Sequence, residues 1–275
     1  MTTLRDVVAV LDGLYDPAWA DDWDAVGTVA GDPDAPVGRI LLAVDPVQAV
    51  VDEAVAIGAD LVVTHHPLWL KGVTSVAAST PKGRVVHTLL THGIALHTCH
   101  TNADCPRLGV SESMAFALGL TDVRPLEPDT DDPEPDRGSG RIGVLTAPVT
   151  LQQLAERVVQ ALPGHHSAVR IAGDPDRTIT TVALCGGSGD FLLGTAQAAG
   201  ADVYVTSDLR HHPVSEHLEQ ADPCAVIDVP HWAAEWTWLP VAAEALRAAL
   251  LAVEVEVSTI VTDPWTGHLP GTVSV

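Results

Sequence analysis

Two adjacent histidines, His65 and His66, end the apolar run "LVVTHHPLWL" (61–70) and stand directly before a proline. Successive side chains of a regular strand point to opposite faces, so one target can hold both imidazoles only if the backbone turns there. Pro67 biases His66 towards an extended conformation and favours such a turn. Open α/β sheets place ligand sites at the C-terminal ends of their strands. Taken alone, the pair is more often one core and one surface histidine, because histidine has many structural uses.

Two further stretches change that balance. "HTCHTNAD" (97–104) follows another strand-like run and ends in Asp104, a carboxylate that neighbouring strands would bring beside His65 and His66. His97, His100 and Asn102 lie in the same stretch. They are candidates for extra ligands, for hydrogen bonds that orient the ligands, or for core positions. In "IDVPHWAAEWTWLP" (227–240), His231 and Glu235 are four apart, which puts them on one face of a helical turn with Cβ atoms ~5–6 Å apart. Pro240 argues that this turn is short and that a longer helix starts near the proline. A surface i,i+4 pair is the competing reading.

Together these segments offer imidazoles from His65, His66 and His231 and carboxylates from Asp104 and Glu235. This mixed nitrogen and oxygen set suits Zn, Mn, Fe, Co or Ni, and no thiolate takes part. Five ligands exceed the needs of one four-coordinate zinc but serve two divalent ions ~3.5–4 Å apart. Two such ions outweigh two carboxylates, leaving a locally positive pocket for a phosphate or carboxylate ligand. Beyond the histidines, no catalytic acid or base stands out.

Other signals are weaker. "CGGSGD" (185–190) reads as a glycine-rich turn between a strand and a helix, able to cradle an anion or simply to pack. "TSDLRHH" (206–212) brings Asp208, His211 or His212 to a rim. His87, His92, His165, His166, His217 and His268 have no evident partners and read as structural or surface residues. Trp232, Trp236 and Trp238 suit a core or a subunit contact.

The elements that must position these groups alternate strand and helix. "GRILLAVDP", "DLVVTHHP" and "IALHTCHTNAD" read as strands separated by helices over 47–59 and 82–93, with another helix at 109–120 for which Ser111 is a candidate N-cap. "PLEPDTDDPEPDRGSG" (125–140) reads as a solvated linker. The expected layout is an N-terminal α/β lobe (1–126), the acidic linker (127–140) and a C-terminal α/β lobe (141–275). Strand–helix–strand repetition implies mixed, largely parallel sheets flanked by helices.

Fourteen basic against 36 acidic residues give a formal charge of -22, which repels phosphate backbones and disfavours nucleic acid as a partner. The four cysteines form no CxxC pair, which fits a reducing compartment. No apolar run reaches the ~18 residues of a membrane span, and the opening segment lacks a basic leader. A soluble, cytoplasmic protein is expected.

"WDAVG", "ADLVVTHHPLW", "HTNAD" with "GVSESMAFALGL", "CGGSGD", "ADVYVTSDLRHH" and "PHWAAE" occur in the order seen in one family. The chain resembles the dinuclear-metal family called GTP cyclohydrolase I type 2, or Nif-three-like, over almost its whole length. The resemblance implies two α/β lobes with a metal site in the cleft between them, and a toroidal homohexamer built as a trimer of dimers. It places the metal ligands on His65, His66, Asp104, His231 and Glu235. It also implies the short form of the family, without an inserted middle domain. Two positions depart from the family pattern, where glycine is usual: Pro230 before the motif histidine, and Ser207 before the acidic residue of "TSD". The implied activity is metal-dependent hydrolysis of a nucleotide or small anion. The alternative is a non-catalytic hexamer with a regulatory or metal-handling role.

Overall fold

In the first sheet, two short apolar runs are each followed by a helix that ends at a glycine. The computed structural model describes residues 1–129 and 136–269. A reciprocal Thr3–Asp6 capping box starts α1 (Leu4–Leu14). Strands β1 (Gly27–Ala30) and β2 (Arg39–Ala43) precede α2 (Gln48–Ile57), and β3 (Leu61–Thr64) precedes α3 (Pro81–His92). Gly58 and Gly93 end these two helices in the left-handed region, at φ 69° and 68°, where glycine carries no Cβ penalty. Next come β4 (Ala95–Thr98) and the single turn α4 (Thr101–Asp104).

β2, β3 and β4 run parallel, with Ala43 opposite Thr64 and Thr64 opposite Thr98. Their C-terminal ends are therefore flush, and His65 and Cys99 leave the sheet side by side. Every residue of β3 and β4 is buried, as expected for strands covered on both faces. Leu41, Val51, Val62, Val86, Leu89 and Leu96 pack into one core cluster. Each such side chain contributes about 1.5–3 kcal/mol when fully buried.

A second unit begins at Ser111. It contains nearly all of α5 (Val110–Ala117), then β5 (Thr121–Pro128), β6 (Gly138–Thr150), α6 (Leu151–Ala161), β7 (Arg170–Ala172) and β8 (Thr178–Ser188). It continues with α7 (Leu193–Ala198), β9 (Val203–Ser207), α8 (His211–Leu218), β10 (Ala225–Val229) and α9 (His231–Trp236). The sheet order is β5-β6-β8-β9-β10-β7. Here β8, β9 and β10 are the parallel trio, with Ser207 opposite both Ser188 and Val229. Arg141, fully buried, donates to Glu112 at 3.1 Å and to the Gly138 and Gly140 carbonyls at 2.8 Å. This tie fastens α5 to β6. Finally α10 (Trp238–Ala249) and β11 (Glu254–Val257) return to the first unit, where β11 pairs with β2.

Among the described residues, the chain is thus an α/β protein with two mixed sheets of five and six strands flanked by helices. Several expectations need correction. The second sheet is not largely parallel, since β5, β6 and β7 pair antiparallel. The two ends of the expected linker run into strands, 127–128 in β5 and 138–140 in β6, with Pro128 opposite Gly138, while 130–135 lie outside the described residues. β5 is an edge strand, where prolines at 125 and 128 remove no needed ladder bond. The units do not divide at 127–140, because contacts cluster β5 with β6 and assign α10 and β11 to the first unit. Ser111 lies inside α5, where its Oγ accepts from the Gly186 N–H at 3.2 Å. "CGGS" belongs to β8 rather than to a turn. The expectation around Pro240 holds: α9 is short and the longer α10 starts beside the proline, which sits in its first turn, where its missing N–H lacks a helical partner anyway.

His97 lies in β4, 2% exposed, with Nδ1 3.0 Å from Thr28 Oγ1. Burial pushes its pKa down to about 4, from an ordinary value of 6.5. The unfolded chain therefore takes up this proton near pH 6.5 while the folded chain resists until about pH 4. Stability is full above pH 6.5 and falls by about 3 kcal/mol towards pH 4. His97→Asn keeps a partner for Thr28 without titrating. Urea unfolding at pH 7 and pH 4.5 should show a flatter acid slope for the variant than for the wild type, and equal slopes would remove His97 from the account.

Candidate metal centre

In the first unit, the flush ends of β3 and β4 hold three imidazoles. The strand ends at Thr64, whose hydroxyl donates to the His66 carbonyl at 2.9 Å and so closes a tight turn. That turn lets two consecutive side chains converge. The ring of His65 lies 5.2 Å from that of His66 and 5.1 Å from that of His100, and His66 is 5.6 Å from His100. One ligand nitrogen from each falls within 4.8 Å of the others. Asp104, at the end of α4, has Oδ1 3.7 Å from His65 Nε2 and is one-third exposed.

Each ring is fixed from behind by an oxygen. His65 Nδ1 donates to the Cys99 carbonyl at 3.0 Å, made possible by the β3–β4 register. His66 Nδ1 donates to Asp45 at 2.7 Å, and Thr262 also donates to that carboxylate. His100 Nδ1 donates to Asp24 at 2.8 Å, and Thr101 adds bonds from its N–H at 3.0 Å and its hydroxyl at 2.6 Å. Burial opposes charge on Asp24, but the bonds from His100 and Thr101 win and hold its carboxyl well below the usual range. A proton kept on Nδ1 leaves the lone pair on Nε2, the tautomer that a metal-holding histidine requires. Behind His65 stands Trp238, ring centroids 5.6 Å apart, its indole N–H given to Tyr15 Oη at 3.0 Å.

The second unit repeats this device at the ends of β9 and β10. His231 opens α9, and its Nε2 is 2.7 Å from Glu235 Oε1, one turn on. Its Nδ1 is 2.7 Å from Asp208 Oδ2. Burial alone would lower the His231 pKa, but the Glu235 and Asp208 carboxylates outweigh it and raise it to about 11. This position strongly favours positive charge, and its nitrogen and oxygen donors suit a divalent cation in place of the proton. Glu235 is almost wholly buried, 3% exposed. Gly187 of β8, at φ 71°, makes room for it: a Cβ there would stand 2.6 Å from Glu235 Oε1. Asp208 has φ 56°, a left-handed conformation that Asp tolerates better than most residues.

Of the other sequence candidates, His97 is a core residue against β1 rather than part of the cluster. Asn102 is structural: it accepts from the His100 N–H at 2.9 Å and donates to the Tyr15 carbonyl at 2.7 Å. His212 is exposed on α8 against His211. His217, His165 and His268 make hydrogen bonds to backbone carbonyls. Sequence reasoning missed the roles of Asp24 and Asp45 entirely. Asp24 lies within "WDAVG", whose only signal was its place in a motif.

The chain matches known proteins along nearly all of its length. The family model for Duf34/NIF3 (NGG1p interacting factor 3) matches residues 2–264. A GTP cyclohydrolase 1 type 2 homolog of Streptomyces coelicolor is 53% identical over 98% of this chain and 95% of its own length. NIF3-like protein 1 of Drosophila melanogaster is 34% identical over 78% of this chain and 72% of its own. Among solved structures, a Staphylococcus aureus protein matches with a TM-score of 0.87 at 27% identity, covering 96% of this chain and 99% of that one. A Bacillus cereus protein related to NIF3 shares the fold, with a TM-score of 0.89 at 22% identity over 96% and 98% of the two chains. With a match across nearly all of its length and a relative identical at half its positions, the chain belongs to the Duf34/NIF3 family.

Proposed function

We propose that the two donor sets share a pair of divalent cations, held by His65, His66 and Asp104 from one unit and His231 and Glu235 from the other. His100 adds a sixth donor from the imidazole cluster. The observation that carries this reading is the Nδ1 engagement of His65, His66, His100 and His231, three of them by carboxylates. Core histidines seldom need such uniform orientation, whereas metal-holding ones do. The ions are Zn, Mn, Fe, Co or Ni.

The centre hydrolyses a nucleotide or another small anion, in keeping with the printed name of the Streptomyces relative, a GTP cyclohydrolase 1 type 2 homolog. Bound there, two cations would supply a water acidified towards pKa ~7 and a Lewis acid for the group under attack. The protein's part is to hold the imidazoles in one tautomer, keep Glu235 dry, and balance the charge. The active particle is a homohexamer, a trimer of dimers. Exposed Trp23, Phe191 and Trp265 give it apolar surface to bury.

Three outcomes test this reading. Glu235→Ala should lower bound metal from two ions per chain to one or none by elemental analysis, while light scattering still reports a hexamer; unchanged metal content contradicts the ligand assignment. Gly187→Ala removes no ligand but pushes on Glu235, so metal affinity should fall by roughly tenfold or more in competition with a chelator. Metal-loaded protein should turn over GTP or a member of a panel of phosphoesters and cyclic amides. Stoichiometric metal without any turnover would favour the non-catalytic role instead.

A further inference from the structure

Beside the imidazole cluster, the first unit contains a cavity of about 320 Å³ that shares His66 and Asp45 with it. Its other walls include Leu68 and Val85, which are apolar, and Lys82 and Arg84, which are cationic. The volume is at the lower end of the range for small-molecule sites. On a chain with 14 basic against 36 acidic residues, two cations on one wall are not a background feature.

Both are available to a ligand. Lys82 Nζ donates to the Leu68 carbonyl at 2.6 Å, which orients the ammonium and leaves it two further donors. Arg39, Arg141, Arg170 and Arg210 are each paired with a carboxylate. Among the described residues, the Arg84 guanidinium has no such partner. Asp45, the one acid in the cavity, is already engaged by His66 and Thr262. Lys82 and Arg84 also lie in the first turn of the twelve-residue helix α3, whose dipole adds to their charge.

We propose that this cavity is the anion subsite of the centre, and that it takes a small molecule with one phosphate on an apolar or ring-shaped body. The phosphate pairs with Arg84 and Lys82, the body lies on Leu68 and Val85, and the far end reaches the His66 side of the cluster. Guanidinium and ammonium together match a dianionic phosphate better than a single carboxylate. The assignment of the neighbouring cluster as a metal centre rests on the proposed function, but the subsite can be tested without it.

Phenyl phosphate, benzoate and inorganic phosphate serve as probes in calorimetric titrations of the full-length protein, both metal-loaded and chelator-stripped. Phenyl phosphate should bind more tightly than either of the others. Arg84→Gln should weaken it by about tenfold or more in both forms, with metal content and thermal midpoint unchanged. Arg84→Lys should recover part of the loss. Equal affinity of wild type and Arg84→Gln for phenyl phosphate overturns the subsite, as does the absence of binding to the wild type, whatever the metal content. Arg84-dependent binding in a protein that takes up no metal would sustain the subsite and overturn the metal centre instead.

Discussion

An imidazole holds a cation only through a nitrogen that carries no proton, so the proton must be kept on the other nitrogen. In this protein that constraint is met by oxygen acceptors behind the rings: the Cys99 carbonyl for His65, Asp45 for His66, Asp24 for His100 and Asp208 for His231. The rest of the architecture follows from placing those oxygens. Cys99 faces His65 because β3 and β4 are parallel and in register, and its N–H continues the ladder to the Thr64 carbonyl at 2.9 Å. Asp208 reaches His231 because β9 and β10 end together, with Ser207 opposite Val229. A parallel trio in each sheet is therefore a means of aligning strand ends, and the strand ends carry the chemistry.

Charge explains why such a site can exist on an acidic protein. A surface of net charge -22 attracts divalent cations and repels free anions over about a Debye length, ~8 Å at physiological salt. Two of the acids beside the histidines are absorbed in specific bonds. Asp24 is wholly enclosed and accepts from His100, Thr101 and Ala25. Asp45 is shared by His66 and Thr262. What these residues present is a mixed set, imidazole nitrogens with the Asp104 and Glu235 carboxylates, and beside His66 the Arg84 and Lys82 cations. The acidic surface as a whole and the wall that carries Lys82 and Arg84 therefore prefer ions of opposite sign.

Much of this was legible in the sequence wherever the signal was local. The proline after His66, the four-residue spacing of His231 and Glu235, and the apolar runs that stop at Gly58 and Gly93 each express a short-range rule. Contacts between distant positions leave no such trace. Asp24 meets His100 across 76 residues, Asp45 meets His66 across 21, and Asp208 meets His231 across 23. No periodicity marks these acids among 36. The residues on either side of 130–135, namely Glu127 and Pro128 in β5 and 138–140 in β6, misled because composition reports solvation rather than hydrogen bonding. An edge strand is half solvated, so its prolines and acids look like those of a linker. The return of β11 to the first sheet is equally invisible, since "VEVEV" alternates in the same way whichever sheet it joins.

Pro230 and Ser207, where the family resemblance implies glycine, both sit in backbone conformations that their side chains permit, although the buried Ser207 hydroxyl has no hydrogen-bond partner among the described residues. Pro230 has φ -61° and ψ 128°, the proline's own preferred angle, and it caps α9 from outside, where the helix asks for no N–H from it. Its carbonyl still accepts from Ala234 at 3.0 Å, so the turn that aligns His231 with Glu235 is intact. Ser207 is the last residue of β9, fully buried and extended, so a side chain meets no conformational penalty there. The left-handed residue is Asp208 instead, at a cost of order 1 kcal/mol. That conformation turns the chain sharply out of the sheet, and the carboxylate it carries is the one that fixes His231. The strained residue is thus the one whose side chain holds His231, while its neighbours in β9 and before α9 sit in relaxed backbone conformations.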